Sequence, residues 1–187
     1  MGSEMCIRDR IREAADSEYF AGKVCDNGGV FVVPALTGLG APYWDMYARG
    51  TIVGLTRGSN SNHIIRAALE SIAFQTEDLL DAMRTEVKEP IPALRVDGGA
   101  SNNDFLMQFQ ADISNIDVER CETAETTALG AAFLAGLTSG FWQDRTELRK
   151  LRHVRDTFHP EMQSHCRNEQ KRLWRKAVQC AMSCLLY

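Results

Sequence analysis

The spacing of apolar residues changes near residue 60, and the change divides the chain into two kinds of structure. Residues 30–36, VFVVPAL, form a short β-branched block of the kind that makes a buried strand, ended by the turn-rich TGLGAPYWD at 37–45. A second block, TIVGLT at 51–56, lies between Gly50 and Gly58 and predicts an antiparallel neighbour. From Ser61, which can cap a helix, a segment free of glycine and proline runs on to Pro90. Ile65, Leu69, Ile72, Leu79, Leu80 and Met83 recur there near helical spacing. Pro90 and Pro92 end that helix, and LRVDGG at 94–99 predicts a short strand closed by two glycines.

The alternation continues beyond those glycines. NDFLMQFQADISN predicts a helix with Phe105, Leu106, Phe109 and Ile113 on one face, and VERC at 118–121 another strand. Residues 126–142 read as a helix of small residues packed closely on its surroundings, and residues 161–182, after Pro160, as a final amphipathic helix. No repeat or low-complexity linker interrupts residues 20–185, so one domain is expected.

Length agrees, because 187 residues can bury a real core but cannot build two ordinary enzyme domains with a cleft between them. With 21 basic against 25 acidic residues, the net charge of −4 is too mild to predict binding to nucleic acid or to an anionic membrane. The six cysteines, Cys6, Cys25, Cys121, Cys166, Cys180 and Cys184, form no Cys-x-x-Cys pair and have no histidines at zinc-finger spacing. No structural metal site is expected, and reduced thiols in a cytoplasm fit better than a disulfide framework. Nothing resembles a membrane span or an apolar signal core.

Chemistry concentrates at residues 94–105, LRVDGGASNNDF, where a strand ends at paired glycines and the chain turns directly into a helix. Glycine lets backbone approach a ligand and adopt positive φ, and free amides at a helix start favour an anion or a polar ring edge. Taken alone, the spacing favours a plain strand-to-helix turn capped by an asparagine, with the nucleotide seat as the alternative. A P-loop is excluded, since Gly22-Lys23 is followed by Val24 and Ser17 stands where the first glycine belongs. Gly38-Leu39-Gly40 lacks the third glycine of a dinucleotide fingerprint. Asp45 and Asp97 are the carboxylates on loops or strand ends, although such residues more often cap turns. His63, His153, His159 and His165 have no nucleophile pattern beside them. Tyr43 and Trp44 could stack on a ligand or anchor their loop, and Arg49 and Arg57 could pair Asp45 or a phosphate, the structural pairing being preferred.

Four runs, VVPALTGLGAPYWD, ARGTIVGLTRGSNSNHIIRAALESIAFQ, LRVDGGASNNDFLMQFQADI and ETTALGAAFLAGLTSGFW, together resemble the glycerol kinases of the FGGY carbohydrate kinase family over residues 30–142. The likeness continues more weakly to residue 182. Xylulokinases and gluconokinases share the general pattern but usually lack TGLGAPYWD. The resemblance implies an α/β, actin-like (ribonuclease H-like) ATPase domain, with a mixed sheet whose antiparallel strands come first and then alternate with helices. It would be the second of two domains that close on ATP and substrate.

In that pattern Gly99 and Asn103 are the first choices as ATP contacts, with Gly98 beside them, and Gly130 looks like close packing of its helix on the sheet. The implied reaction moves the γ-phosphoryl group of ATP to glycerol. Mg2+ is left mainly to the nucleotide and the missing half, as are the glycerol pocket and the catalytic base, so no catalytic residue is expected in this chain. The chain alone should be inactive. Residues 1–20 stay unassigned, as an artefactual opening or a remnant of the region between domains, and residues 21–187 make the domain, with a helical tail from about 161. The opening MGSEMCIRDR and the ending CAMSCLLY depart from the family pattern, as the ends of an incomplete or misjoined reading frame would. Family members often self-associate, so the resemblance implies a homo-oligomer for which no residue here argues. A related sugar kinase, a non-catalytic nucleotide-binding module and a truncated gene product stay open as alternatives.

Overall fold

The computed structural model describes residues 11, 13–87, 89–122, 126–151 and 153–182. The odd ends of the sequence, 1–10 and 183–187, lie outside the described residues. Helix α1 spans Asp16–Ala21. Strands β1 (Phe31–Val33) and β2 (Thr51–Val53) pair antiparallel in the register Phe31↔Val53. β2 is shorter than the apolar run predicts, because Gly54 has φ +84° and a Cβ there would lie 1.9 Å from the carbonyl oxygen of Gly29.

Helix α2 covers Ser61–Glu86 and begins one residue earlier than expected in its capping. Asn60, not Ser61, accepts the amides of Asn62 and His63, and the His63 side chain takes the Asn60 amide in return. The buried face of α2 is also rotated from the predicted one. Ala67, Glu70, Ser71, Ala73, Phe74, Glu77 and Leu80 point inward, whereas Ile72, Leu79 and Met83 are exposed. Carboxylates can occupy that inner face because each finds partners. Glu70 accepts from Arg66 and Asn27 at 2.8 Å each, and Glu77 from Arg84 at 2.7 Å and Lys171 at 2.6 Å.

Strand β3 (Ala93–Val96) runs parallel to β4 (Asp117–Cys121), with α3 (Asp104–Ser114) as the crossover between them. A strand the sequence did not announce, β5 (Val154–Phe158), pairs antiparallel with β4, so the second sheet has the order β3-β4-β5. Asn115, at φ +52°, stops α3. The last helix, α6 (Ser164–Met182), lays Trp174, Ala177, Val178 and Ala181 into the core against β1, β2 and α3. There the Trp174 ring stacks on Phe74 with centroids 5.0 Å apart, and Phe109 meets Phe74 edge-on.

Helix α4 (Thr126–Thr138) departs from expectation, ending before residue 142 and burying no residue. Gly130, expected at a close contact, has nothing within 4 Å of where its Cβ would be. The glycine without room is Gly136, whose Cβ would meet the Trp142 ring at 2.2 Å, where the chain folds back and Phe133, Phe141 and Trp142 pack edge-to-face. The short α5 (Arg145–Lys150) follows, and Asp144 accepts two amides at its start. Among the described residues no helix is long and apolar enough to cross a membrane.

Candidate functional site

Strand β3 delivers the chain to a bend at Gly98, with φ +80° and ψ 179°, a conformation that residues with a side chain rarely hold. A single 3-10 turn, Gly99–Asn102, follows, and Asn103 starts α3. The turn is braced from within. Ser101 donates its amide and its hydroxyl to the Gly98 carbonyl, at 3.2 and 2.7 Å, and the Asn103 amide donates to Ala100. Asn103 also caps α3, its Oδ1 accepting the Leu106 amide at 2.9 Å. The cap expected on spacing alone is therefore present, and its amide nitrogen still faces across the site, 3.4 Å from the Ser17 hydroxyl.

The bend opens onto a cavity of about 490 Å³. One wall is the turn itself, with Gly99, Ala100, Asn102 and Asn103. The others come from Leu69 and Ile72 of α2, Leu106 of α3, and Ala14, Ala15, Ser17 and Glu18 at α1. A cavity of this size, mostly apolar and edged by a few amides and hydroxyls, suits a planar heteroaromatic ligand with a polar rim. Of the residues singled out in the sequence, Gly99 and Asn103 line this cavity, while Gly98 shapes the bend without lining it. The α1 wall lies in the stretch left unassigned. Its short, charged sequence carries no periodicity, and only the packing of α1 on α2 and α3 brings it here.

Several of the other candidates are committed elsewhere. Asp45 accepts the amides of Tyr47 and Ala48 and so closes its own turn. Arg49 does not pair with it, donating instead to the carbonyls of Met46 and Ala48. Tyr43 packs on the core, with burial and then neighbouring Asp78 raising its pKa above the ordinary tyrosine value, while Trp44 points into solvent. Asp78 accepts the Trp174 indole at 2.7 Å, and its own pKa is raised, chiefly by burial. His63 serves the cap of α2, and His159 sits 2.9 Å from Asp117, away from the cavity. Among the described residues no group of three or more His, Cys, Asp or Glu side chains could hold a metal ion.

Behind the bend stands Arg120 of β4, with only 4 % of its surface exposed. Its Nη1 donates to the Ser101 carbonyl at 2.9 Å and to Asp104 at 2.7 Å, and its Nε and Nη2 donate to Asp156 of β5 at 2.9 and 2.5 Å. The guanidinium lies over the Phe158 ring.

The chain is similar to known proteins over most of its length. The sequence profile described as the FGGY family of carbohydrate kinases, C-terminal domain, matches residues 4–139. A glycerol kinase of Desulfitobacterium hafniense is 60% identical over 179 residues, which are 94% of this chain and 36% of that protein. One of Haemophilus influenzae is 58% identical over 175 residues, covering 92% of this chain and 35% of its own length. The chain thus spans about a third of the length of the curated relatives it matches. Among solved structures, Plasmodium falciparum glycerol kinase with ADP superposes with a TM-score of 0.84 at 35% identity, over 96% of this chain and 36% of the other. Gluconate kinase from Lactobacillus acidophilus gives 0.73 at 27% identity, over 88% of this chain and 33% of the other.

Proposed function

Because the chain belongs to the FGGY family of carbohydrate kinases, we propose that it is the nucleotide-holding, carboxyl-terminal part of a glycerol kinase. The single observation that carries this reading is the strand–bend–helix at Gly98 to Asn103, opening on an apolar cavity of about 490 Å³. The fold is the actin-like one of the family, mixed α/β with an antiparallel pair of strands first. Both the high identity to glycerol kinases and the better superposition on the ADP-bound one favour glycerol over gluconate as substrate.

In this reading the purine lies in the cavity, its faces against Leu69, Ile72 and Leu106 and its polar edge toward the Asn103 amide. Gly99, bare of a side chain at the rim, lets the ribose and phosphates pass close to the backbone. The reaction forms a bond from a terminal glycerol oxygen to the γ-phosphorus and breaks the bond from that phosphorus to the bridging oxygen of ADP. The hydroxyl proton leaves to a base, and the products are glycerol 3-phosphate and ADP. Phosphoryl transfer depends on positioning and charge neutralisation, so one wall of the cleft without the other removes nearly all rate. In this reading the base comes from the remaining two thirds of the enzyme. The Mg2+ that accompanies ATP would travel with the nucleotide phosphates, since among the described residues no group of three or more His, Cys, Asp or Glu side chains could hold it. We therefore expect the isolated chain to bind nucleotide weakly and turn over nothing. A cytoplasmic location fits the free thiols of Cys25, Cys121, Cys166 and Cys180.

The test is to co-express the chain with the complementary amino-terminal portion of the Desulfitobacterium hafniense glycerol kinase and to measure ADP release with glycerol, xylulose and gluconate. Glycerol-dependent release by the pair, and none by the chain alone, is expected. No glycerol-dependent release by the pair, or glycerol phosphorylation by the chain alone, would overturn the reading.

A further inference from the structure

The four-residue turn that rims the cavity is shaped by its own hydrogen bonds, yet these bonds run within the turn and do not attach it to the sheet. The attachment comes from Arg120. One edge of its guanidinium holds the Ser101 carbonyl and Asp104, which belong to the turn and the first residue of α3. The other edge grips Asp156 across the β4–β5 ladder, where the two residues are register partners. A planar fork can hold both groups at once, and a single ammonium cannot. We infer that Arg120 is a positioning residue for the nucleotide: it fixes the tilt of the turn relative to the sheet, and so where Gly99 and Asn103 stand along the cavity wall. The inference rests on the reading of that cavity as the nucleotide seat.

The geometry separates this role from general stability. Asp156 lies on the sheet side, bonded to Arg120 and Arg155, so Asp156→Asn loosens the β4–β5 ladder while Arg120, itself part of β4, keeps its bonds to Ser101 and Asp104. Asp104, whose side chain is 62 % exposed, lies on the turn side, and Asp104→Asn loosens the turn at little risk to folding. Arg120→Lys keeps the charge and loses the fork.

ADP affinity of the 187-residue chain and of the three variants is measured by equilibrium dialysis, with thermal unfolding in parallel and amide shifts recorded for Gly99 and Asn103. A charge-assisted hydrogen bond is worth enough to predict roughly tenfold weaker ADP binding by Arg120→Lys, with a smaller loss in Asp104→Asn. Asp156→Asn should lower the unfolding temperature and keep ADP affinity within about threefold. If affinity instead tracks unfolding temperature across all three variants, Arg120 is only a buttress of the sheet and the inference is overturned. Should Arg120→Lys fail to fold, unchanged affinity in Asp104→Asn overturns it equally. If the unaltered chain shows no ADP-induced shift at Gly99 or Asn103, the nucleotide reading itself fails and takes the inference with it.

Discussion

Replacing Gly98 by alanine isolates the cost of the bend, because no other effect accompanies the change. A Cβ at Gly98 has no heavy atom within 4 Å, so nothing clashes and nothing new is buried. What remains is the backbone, held at φ +80° and ψ 179°, a region essentially confined to glycine. Holding alanine there costs about 1–3 kcal/mol. If the bend survives, the whole penalty falls on global stability, and for a chain of this size each kcal/mol lowers the melting temperature by about 2–4 °C. If the bend relaxes, stability is kept and the wall formed by Gly99 and Asn103 moves, so ADP affinity falls by roughly 5- to 150-fold. Gly99→Ala is the control. Gly99 lies in the 3-10 turn without a left-handed φ and with open space about it. Alanine there should leave stability within about 0.5 kcal/mol and reduce only nucleotide binding. Thermal unfolding with and without ADP distinguishes the cases. A Gly98→Ala chain unchanged in both stability and affinity would refute the reasoning, as would a Gly99→Ala chain that melts early and binds ADP normally.

Two further predictions concern the buried carboxylates of α2. Burial raises the pKa of Glu70 from its ordinary 4.5, and the hydrogen bonds from Arg66 and Asn27 only partly offset this. Such a group contributes stability that is fully present below about pH 4.5 and is lost as pH rises through the raised value. The stability of the native chain relative to Glu70→Gln, from urea midpoints between pH 4 and 8, should therefore fall with rising pH; a difference that grows with pH would contradict the burial argument. Trp174→Leu removes both the stack on Phe74 and the indole donor to half-buried Asp78. It should cost about 2–4 kcal/mol in urea unfolding, and a loss below about 0.5 kcal/mol would show that the stack contributes little.

The parts of the fold that were legible in sequence are those with local causes. An uninterrupted stretch without glycine or proline announces α2, and LRV before two glycines announces β3 and the bend. What escaped was specified by distant partners. β5 sits in a charged segment, VRDTF, and becomes a strand by pairing along β4, where Asp156 stands opposite Arg120. The inner face of α2 was misplaced because an apolar pattern cannot anticipate that Glu70 will be held by Arg66 of its own helix and by distant Asn27, or Glu77 by Arg84 of its own helix and by Lys171 of α6. Ile72, assigned to the core, lines the cavity instead. In α4 the small residues suggested close packing, but the one tight glycine is Gly136, whose constraint comes from Trp142 in the following turn. The cavity's α1 wall has no motif at all, and Arg120 reads in sequence as one charged residue in a strand.

The central claim, that a nucleotide sits against the bend after β3, is tested most directly by titrating ADP into isotopically labelled chain and mapping the amide shifts. The account predicts the largest shifts at Gly99, Ala100 and Asn103 on one wall and Ser17 on the other, saturating together. Shifts concentrated elsewhere, for instance around the Glu77 and Lys171 cluster, or none at any ADP concentration, would contradict it.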